Sequence, residues 1–145
     1  MRKVAFWAVL GALALSLAGC GESKEQGGDT DAESEQAQAA CTASPISETK
    51  LPQGFPSIEN VTYTKQRTDG PTEIVEGYFT GSLEDAHDEF KNELGTGSFK
   101  VTDDELDEHD SEVNWEGTGR SGQVALREEC GESDKIYVQI TSRPA

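Results

Sequence analysis

In the second half of the chain apolar residues recur at alternate positions: Phe99 with Val101, Val113 with Trp115, Val124 with Leu126, and Ile136 with Val138 and Ile140. Side chains two residues apart leave a β-strand on the same face, so each set predicts a strand with one buried side. Upstream, residues 61–67 and 73–80 are rich in Thr, Tyr, Ile, Val and Phe and flank Asp69-Gly70-Pro71, which predicts a hairpin. One stretch changes the period: Leu83, Ala86, Phe90 and Leu94 recur at helical spacing. Ser82 stands ready to cap that helix, Glu84 and Asp85 face its positive end, and Gly95 occupies the place of a left-handed C-terminal cap. A helix laid on one face of such strands predicts an α+β two-layer sandwich of about five to six mostly antiparallel strands, in the order ββαββββ with one amphipathic helix. The 24 Val, Ile, Leu, Phe, Tyr and Trp residues in 41–145 suffice for one small core and not for two.

The N-terminus has a different grammar. Arg2 and Lys3 precede an uncharged run from Val4 to Leu17, the pattern of an export signal. The run is too short for a lasting transmembrane helix, which needs ~20 apolar residues. It closes on Leu17-Ala18-Gly19-Cys20. Here the chain resembles the bacterial lipoprotein family, whose lipobox reads Leu, a small residue, Gly or Ala, then Cys; all four positions match, and the resemblance covers this segment only. It implies that residues 1–19 are a signal peptide and that Cys20 becomes the first mature residue, carrying a diacylglyceryl thioether and an amide-linked third chain. Each buried acyl methylene is worth ~0.8 kcal/mol, so two or three chains hold a protein that one would release. Gly21 stands where Asp would imply inner-membrane retention. The resemblance therefore implies the outer membrane in a diderm cell and the outer face of the plasma membrane in a monoderm one.

With 12 basic and 28 acidic residues the chain carries −16, and loss of Arg2 and Lys3 with the leader takes it to −18. Such a field repels nucleic-acid backbones and anionic head groups, which argues against nucleic-acid partners. It also fits an adaptation to high salt. Residues 20–40 hold six acids, one Lys and no large apolar side chain, so they predict a disordered tether between the lipid and a domain at 41–145. As a flexible coil, twenty residues span ~25 Å. A helix over residues 32–40 is the alternative, since Ala, Glu and Gln favour one, but no apolar stripe would anchor it.

Lipidation consumes Cys20 and leaves Cys41 and Cys130, an even pair in an oxidising compartment, which predicts a disulfide; two free thiols are the alternative. The bond would close a loop of about 90 residues and restrict the unfolded chain by ~4–5 kcal/mol in the chain-entropy account. It would clamp the end of the tether between the last two strands.

Several motifs imitate chemistry. Gly117-Thr118-Gly119-Arg120-Ser121-Gly122 satisfies G-x-G-x-x-G, but a strand follows where a dinucleotide site needs a helix, so the motif predicts a glycine-rich hairpin. Residues 103–112 pack seven carboxylates into ten positions, yet Glu108 and Asn114 stand where an EF-hand requires Gly and a bidentate Glu. A solvated turn between strands is the plain expectation there; a cation site using Asp103, Asp104, Asp107 and Asp110 is the alternative, and no other metal ligands are expected. His87 lies near Asp85 and Asp88 without a recognisable nucleophile, so no catalytic residues are assigned. Tyr78 and Phe79 are adjacent in a strand, so one faces the core and the other the opposite face.

These features predict a non-enzymatic, lipid-anchored envelope domain without a cofactor, structural or interaction-mediating. Its expected partners are the membrane, through the anchor, and another envelope protein. The alternative is a cation- or small-ligand-binding lipoprotein using the 103–112 segment.

Overall fold

A computed structural model describes residues 28–145. The leader expected at 1–19 and the lipidation expected at Cys20 lie outside the described residues.

The described chain forms α1 (Gly28–Thr42), β1 (Val61–Asp69), β2 (Thr72–Thr80), α2 (Leu83–Thr96), β3 (Phe99–Leu106), β4 (Asp110–Gly117), β5 (Arg120–Arg127) and β6 (Lys135–Pro144). The strands make one six-stranded sheet in the order β1-β2-β6-β5-β4-β3, with every neighbouring pair antiparallel. The protein is therefore α+β, and β3 to β6 form a meander whose last strand docks beside β2. Two helices are present where the sequence predicts one, and the order is αββαββββ. The two-layer expectation fails with it, because α1 and α2 lie on opposite faces of the sheet.

The alternating residues of the sequence supply the inner face. Phe79, Val113, Trp115, Val124, Leu126, Ile136, Val138 and Ile140 are buried beneath α2, which contributes Leu83, Ala86, Phe90 and Leu94. Each fully buried Val, Leu, Ile or Phe side chain stabilises the fold by ~1.5–3 kcal/mol. Phe55 of the proline-flanked entry segment closes one end of this core, meeting Phe99 and Trp115 edge-on at centroid distances of 5.7 and 5.6 Å. The start of α2 is a capping box: Ser82 Oγ accepts from the Asp85 amide at 3.1 Å and the Asp85 carboxylate accepts from the Ser82 amide at 3.4 Å. The helix runs past Gly95, expected as its cap, and stops at Gly97, whose φ of −101° is not left-handed. Gly95 is thus helical, and the chain leaves α2 without an αL cap.

The second helix corrects the expected tether: residues 28–42 are helical, so a spacer over 20–40 does not describe them. The buried residues of α1 are Ala37, Ala40 and Cys41, packed on Tyr137 and Cys130 with Tyr78 beside them. Small side chains and a covalent tie replace the apolar stripe that a sequence reading looks for. The tie is the predicted bond, Cys41–Cys130, with Cα atoms 5.5 Å apart and 89 residues of separation. Cys130 lies between β5 and β6, so the bond clamps α1 against the outer face of the sheet. Among the described residues no helix is long and apolar enough to cross a membrane.

The acidic segment is also more ordered than expected. Asp103 to Leu106 belong to β3 and Asp110 to Glu112 to β4, leaving only residues 107–109 as the turn, closed by the Asp107 amide donating to Asp110 O at 2.9 Å. Carboxylates fit these strands because alternate side chains point to the solvated face and Asp104, on the inner side, meets a cation.

Candidate functional site

The outer face of the sheet divides in two. Cross-strand pairing aligns Thr141, Gln123, Asn114 and Asp103 in one row across β6, β5, β4 and β3, and Arg143, Ser121, Glu116 and Lys100 in the next. The first register shift of the sheet, between Val101 and Asp103, adds Thr102 to this side as a bulge residue. Apart from Lys100, these rows line an open cleft of about 640 Å³. Among the described residues, Thr102, Asp103, Asn114, Ser121 and Arg143 spend no side-chain hydrogen bond within the protein, so their donors and acceptors face outward unspent. Gln123 is held by Glu112, its Nε2 donating to Oε2 at 2.8 Å.

The other half lies under α1 and centres on Glu76, a β2 residue with no exposed surface. Tyr137 Oη donates to Glu76 Oε1 at 2.7 Å, and Gln36 Nε2 from α1 donates to the same oxygen. The second register shift, between Tyr63 and Lys65, places Thr64 and Lys65 toward α1. Thr64 Oγ1 donates to Ala40 O at 2.7 Å, while Lys65 Nζ and Arg67 Nε stand 3.7 and 3.6 Å from Glu76 Oε2. Glu76 Oε2 nevertheless takes no hydrogen bond. Burial pushes the Glu76 carboxyl upward, but the hydrogen bonds from Tyr137 and Gln36 and the charges of Lys65 and Arg67 outweigh it and hold the group below its ordinary value. Burial first, and Glu76 second, push the Tyr137 phenol far above its ordinary value. A smaller cleft of about 170 Å³ opens between α1 and the sheet, lined by Glu33, Gln36, Arg67, Arg127, Tyr137 and Gln139.

On the inner face the fold assembles a constellation invisible in the sequence. His87 Nδ1 lies 2.7 Å from Ser111 Oγ, and its Nε2 lies 3.3 Å from Asp104 Oδ2, which also accepts from Lys91 Nζ at 2.7 Å. The hydrogen bond from Lys91 first, and its charge with it, outweigh burial and hold the Asp104 carboxyl below its ordinary range. Serine, histidine and aspartate in this contact order have the makings of an activated nucleophile. Substrate access is what the arrangement lacks: Ser111 is 2% exposed, His87 is 4% exposed, and neither lines any of the five main clefts. The sequence pairs His87 with Asp85 and Asp88; in the fold its partners come from β3 and β4, 17 and 24 positions further on.

Asp103, Asp104, Asp107 and Asp110, the alternative cation ligands, are distributed along a hairpin and its two faces. Among the described residues no three His, Cys, Asp or Glu side chains converge as a metal site requires. The G-x-G-x-x-G segment is a β4–β5 hairpin with Thr118 and Gly119 at its tip, and Arg120 donates from Nε and Nη2 to Ser142 Oγ and O at 2.7 and 2.8 Å. Its glycines serve the backbone: a methyl group on Gly122 would strike the Thr141 carbonyl and the Trp115 ring. Of the paired aromatics, Phe79 enters the main core and Tyr78 sits half-buried beside α1, with Lys135 Nζ 4.9 Å above its ring.

No protein-family model, characterised protein or solved structure matches the chain.

Proposed function

We propose that this chain is an exported, lipid-anchored domain of the cell envelope that recognises a polar partner through the open half of its sheet. The observation that carries the proposal is the pair of polar rows on β3 to β6, whose amides, hydroxyls, carboxylates and guanidinium lie uncovered beside a helix that shields the rest of the same face.

The anchor rests on Leu17-Ala18-Gly19-Cys20, and the Cys41–Cys130 bond agrees with an oxidising destination. The lipidated Cys20 is the membrane partner, in the outer membrane of a diderm cell or on the outer face of a monoderm one. The cleft is the envelope-protein partner's site. Its chemistry is recognition without turnover, since the Ser111, His87 and Asp104 group is closed off.

Two measurements test the two halves of the proposal. Labelled palmitate is expected on the wild-type chain and absent from Cys20→Ser. A photocrosslinking residue at Gln123 is expected to capture a discrete envelope component in intact cells, whereas the same group at Lys91, on α2 at the other face, captures none. Equal adducts from the two positions would reject the cleft, and palmitate retained by Cys20→Ser would reject the anchor.

A further inference from the structure

We propose that α1 is a strap held shut by the Cys41–Cys130 disulfide, and that reduction of this bond by a dithiol releases α1 from the sheet while α2 and the main core remain folded. The inference is independent of the lipid anchor and of the partner assigned to the open cleft.

The first argument is the weakness of everything else that holds α1. A helix of 15 residues is marginal in water unless packing supports it, and among the described side chains α1 buries Ala37, Ala40 and Cys41. Its other ties to the sheet are polar: Gln36 to Glu76, the Ala40 carbonyl to Thr64, and an exposed Glu33–Arg127 pair at 3.3 Å. The cleft between Gln36, Arg67 and Gln139 shows that this interface is incompletely filled.

The second argument is separability. The main core draws on Ile58, α2 and the inner face of the sheet, and among the described side chains none of α1 belongs to it. The α1 cluster is a satellite of Ala37, Ala40, Cys41, Cys130 and Tyr137. Loss of the satellite removes nothing from beneath α2, which is the condition for a local opening rather than global unfolding.

The chemistry is ordinary thiol–disulfide exchange. A thiolate of the dithiol attacks one sulfur of the pair and forms a mixed disulfide; its second thiol displaces the remaining sulfur. The dithiol is oxidised to its disulfide, and Cys41 and Cys130 leave as two thiols. Cys130 is the more exposed of the two residues, 6% against 1%, and precedes the exposed loop at residues 131–134, so it is the sulfur attacked first. Release uncovers Tyr78, Tyr137 and Glu76, and joins the shielded half of the outer face to the open cleft.

The test is amide hydrogen exchange on the full chain, before and after dithiothreitol at neutral pH without denaturant, with iodoacetamide trapping of freed thiols. Protection of residues 32–42 is expected to fall at least about 100-fold, protection in β5 and β6 to fall less than about threefold, and both Cys41 and Cys130 to alkylate. Retained α1 protection with both thiols alkylated would overturn the strap by showing that packing alone holds it. Loss of sheet protection together with α1 would overturn it by showing one cooperative unit. The wild-type chain is folded before it is reduced, so the result stands whether or not Cys41→Ser and Cys130→Ser variants fold.

Discussion

Tyr137 on β6 donates its phenolic hydrogen to the carboxylate of Glu76 on the neighbouring strand β2, 2.7 Å away, on the covered half of the sheet's outer face. The two residues are two positions out of register, Glu76 pairing with Gln139 and Tyr137 with Tyr78, so both side chains leave the same face and the reach of the tyrosine closes the gap. This bond organises what surrounds it: Gln36 joins the same oxygen from α1, Gln139 Nε2 donates to Tyr137 Oη at 3.1 Å, and Lys65 and Arg67 lean in from the edge strand. Tyr137→Phe removes the main donor and leaves a buried carboxylate short of partners. Urea unfolding is expected to show a loss of ~1–3 kcal/mol, and the cost is expected to shrink when Glu76 is already Gln. Additive losses in the double mutant would mean that the two side chains act independently.

The same network sets a pH dependence. The folded-state carboxyl of Glu76 titrates below its ordinary value of 4.5, so its stabilising contribution is complete above about that pH and is lost as pH falls through the lower folded value. Wild type is therefore expected to lose stability more steeply below pH 4.5 than Glu76→Gln does, as read from thermal melts at a series of acid pH values. At the alkaline end the sign reverses. Burial pushes the phenols of Tyr63 and Tyr137 above their ordinary value of 10, so stability is intact below pH 10 and falls as pH rises toward their folded values. Absorbance at 295 nm should show these two phenols ionising only as the fold is lost.

Ser111 offers a direct test of whether the inner-face triad is chemistry or architecture. Its hydroxyl lies against His87 Nδ1 at the base of α2 and is 2% exposed. A fluorophosphonate probe is expected to leave the native chain unlabelled. Ser111→Ala is expected to cost ~1–3 kcal/mol in denaturant unfolding, because it strands a buried ring nitrogen. Covalent labelling at Ser111 in the folded protein would reverse the assignment and make the constellation a catalytic one.

What was legible in the sequence follows from which forces are local. The period-2 sets at Val113 and Trp115, Val124 and Leu126, and Ile136 to Ile140 report a face buried along one strand, and Ser82 with Asp85 reports a cap four residues wide; all are readable without knowing the neighbours. Helix α1 is legible only as the alternative over residues 32–40, from the propensity of Ala, Glu and Gln, because its burial depends on Tyr137 and Cys130, about 90 residues away, and not on an apolar period of its own. Cysteine parity gave the bond but not the helix that the bond pins. The candidate site was hidden for a related reason: Thr141, Gln123, Asn114 and Asp103 become one row only through strand register, and the bulge at Thr102 depends on the pairing of β3 with β4. The acidic run reads as a solvated turn because its charge is high, but alternate carboxylates sit on the exposed side of a strand, and Asp104 meets Lys91 of α2.

The β4–β5 hairpin carries an uncorrected local strain. Thr118 has φ of 50° and Gly119 φ of 74°, so both tip residues occupy the left-handed region that a type I′ turn demands. Glycine accepts that geometry freely, but a β-branched threonine crowds its own backbone there. Thr118→Gly is expected to raise stability by ~1 kcal/mol, and Thr118→Asn by somewhat less, since the relief of strain exceeds the entropy that glycine adds to the unfolded chain. By contrast Gly122→Ala, two residues beyond the turn in β5, is expected to destabilise by ~1–3 kcal/mol or more, because its methyl meets the Thr141 carbonyl and the Trp115 ring, neither of which can retreat. Thermal unfolding of the three variants against wild type checks both signs at once. A destabilised Thr118→Gly would mean that the threonine hydroxyl or methyl makes a compensating contact at the tip.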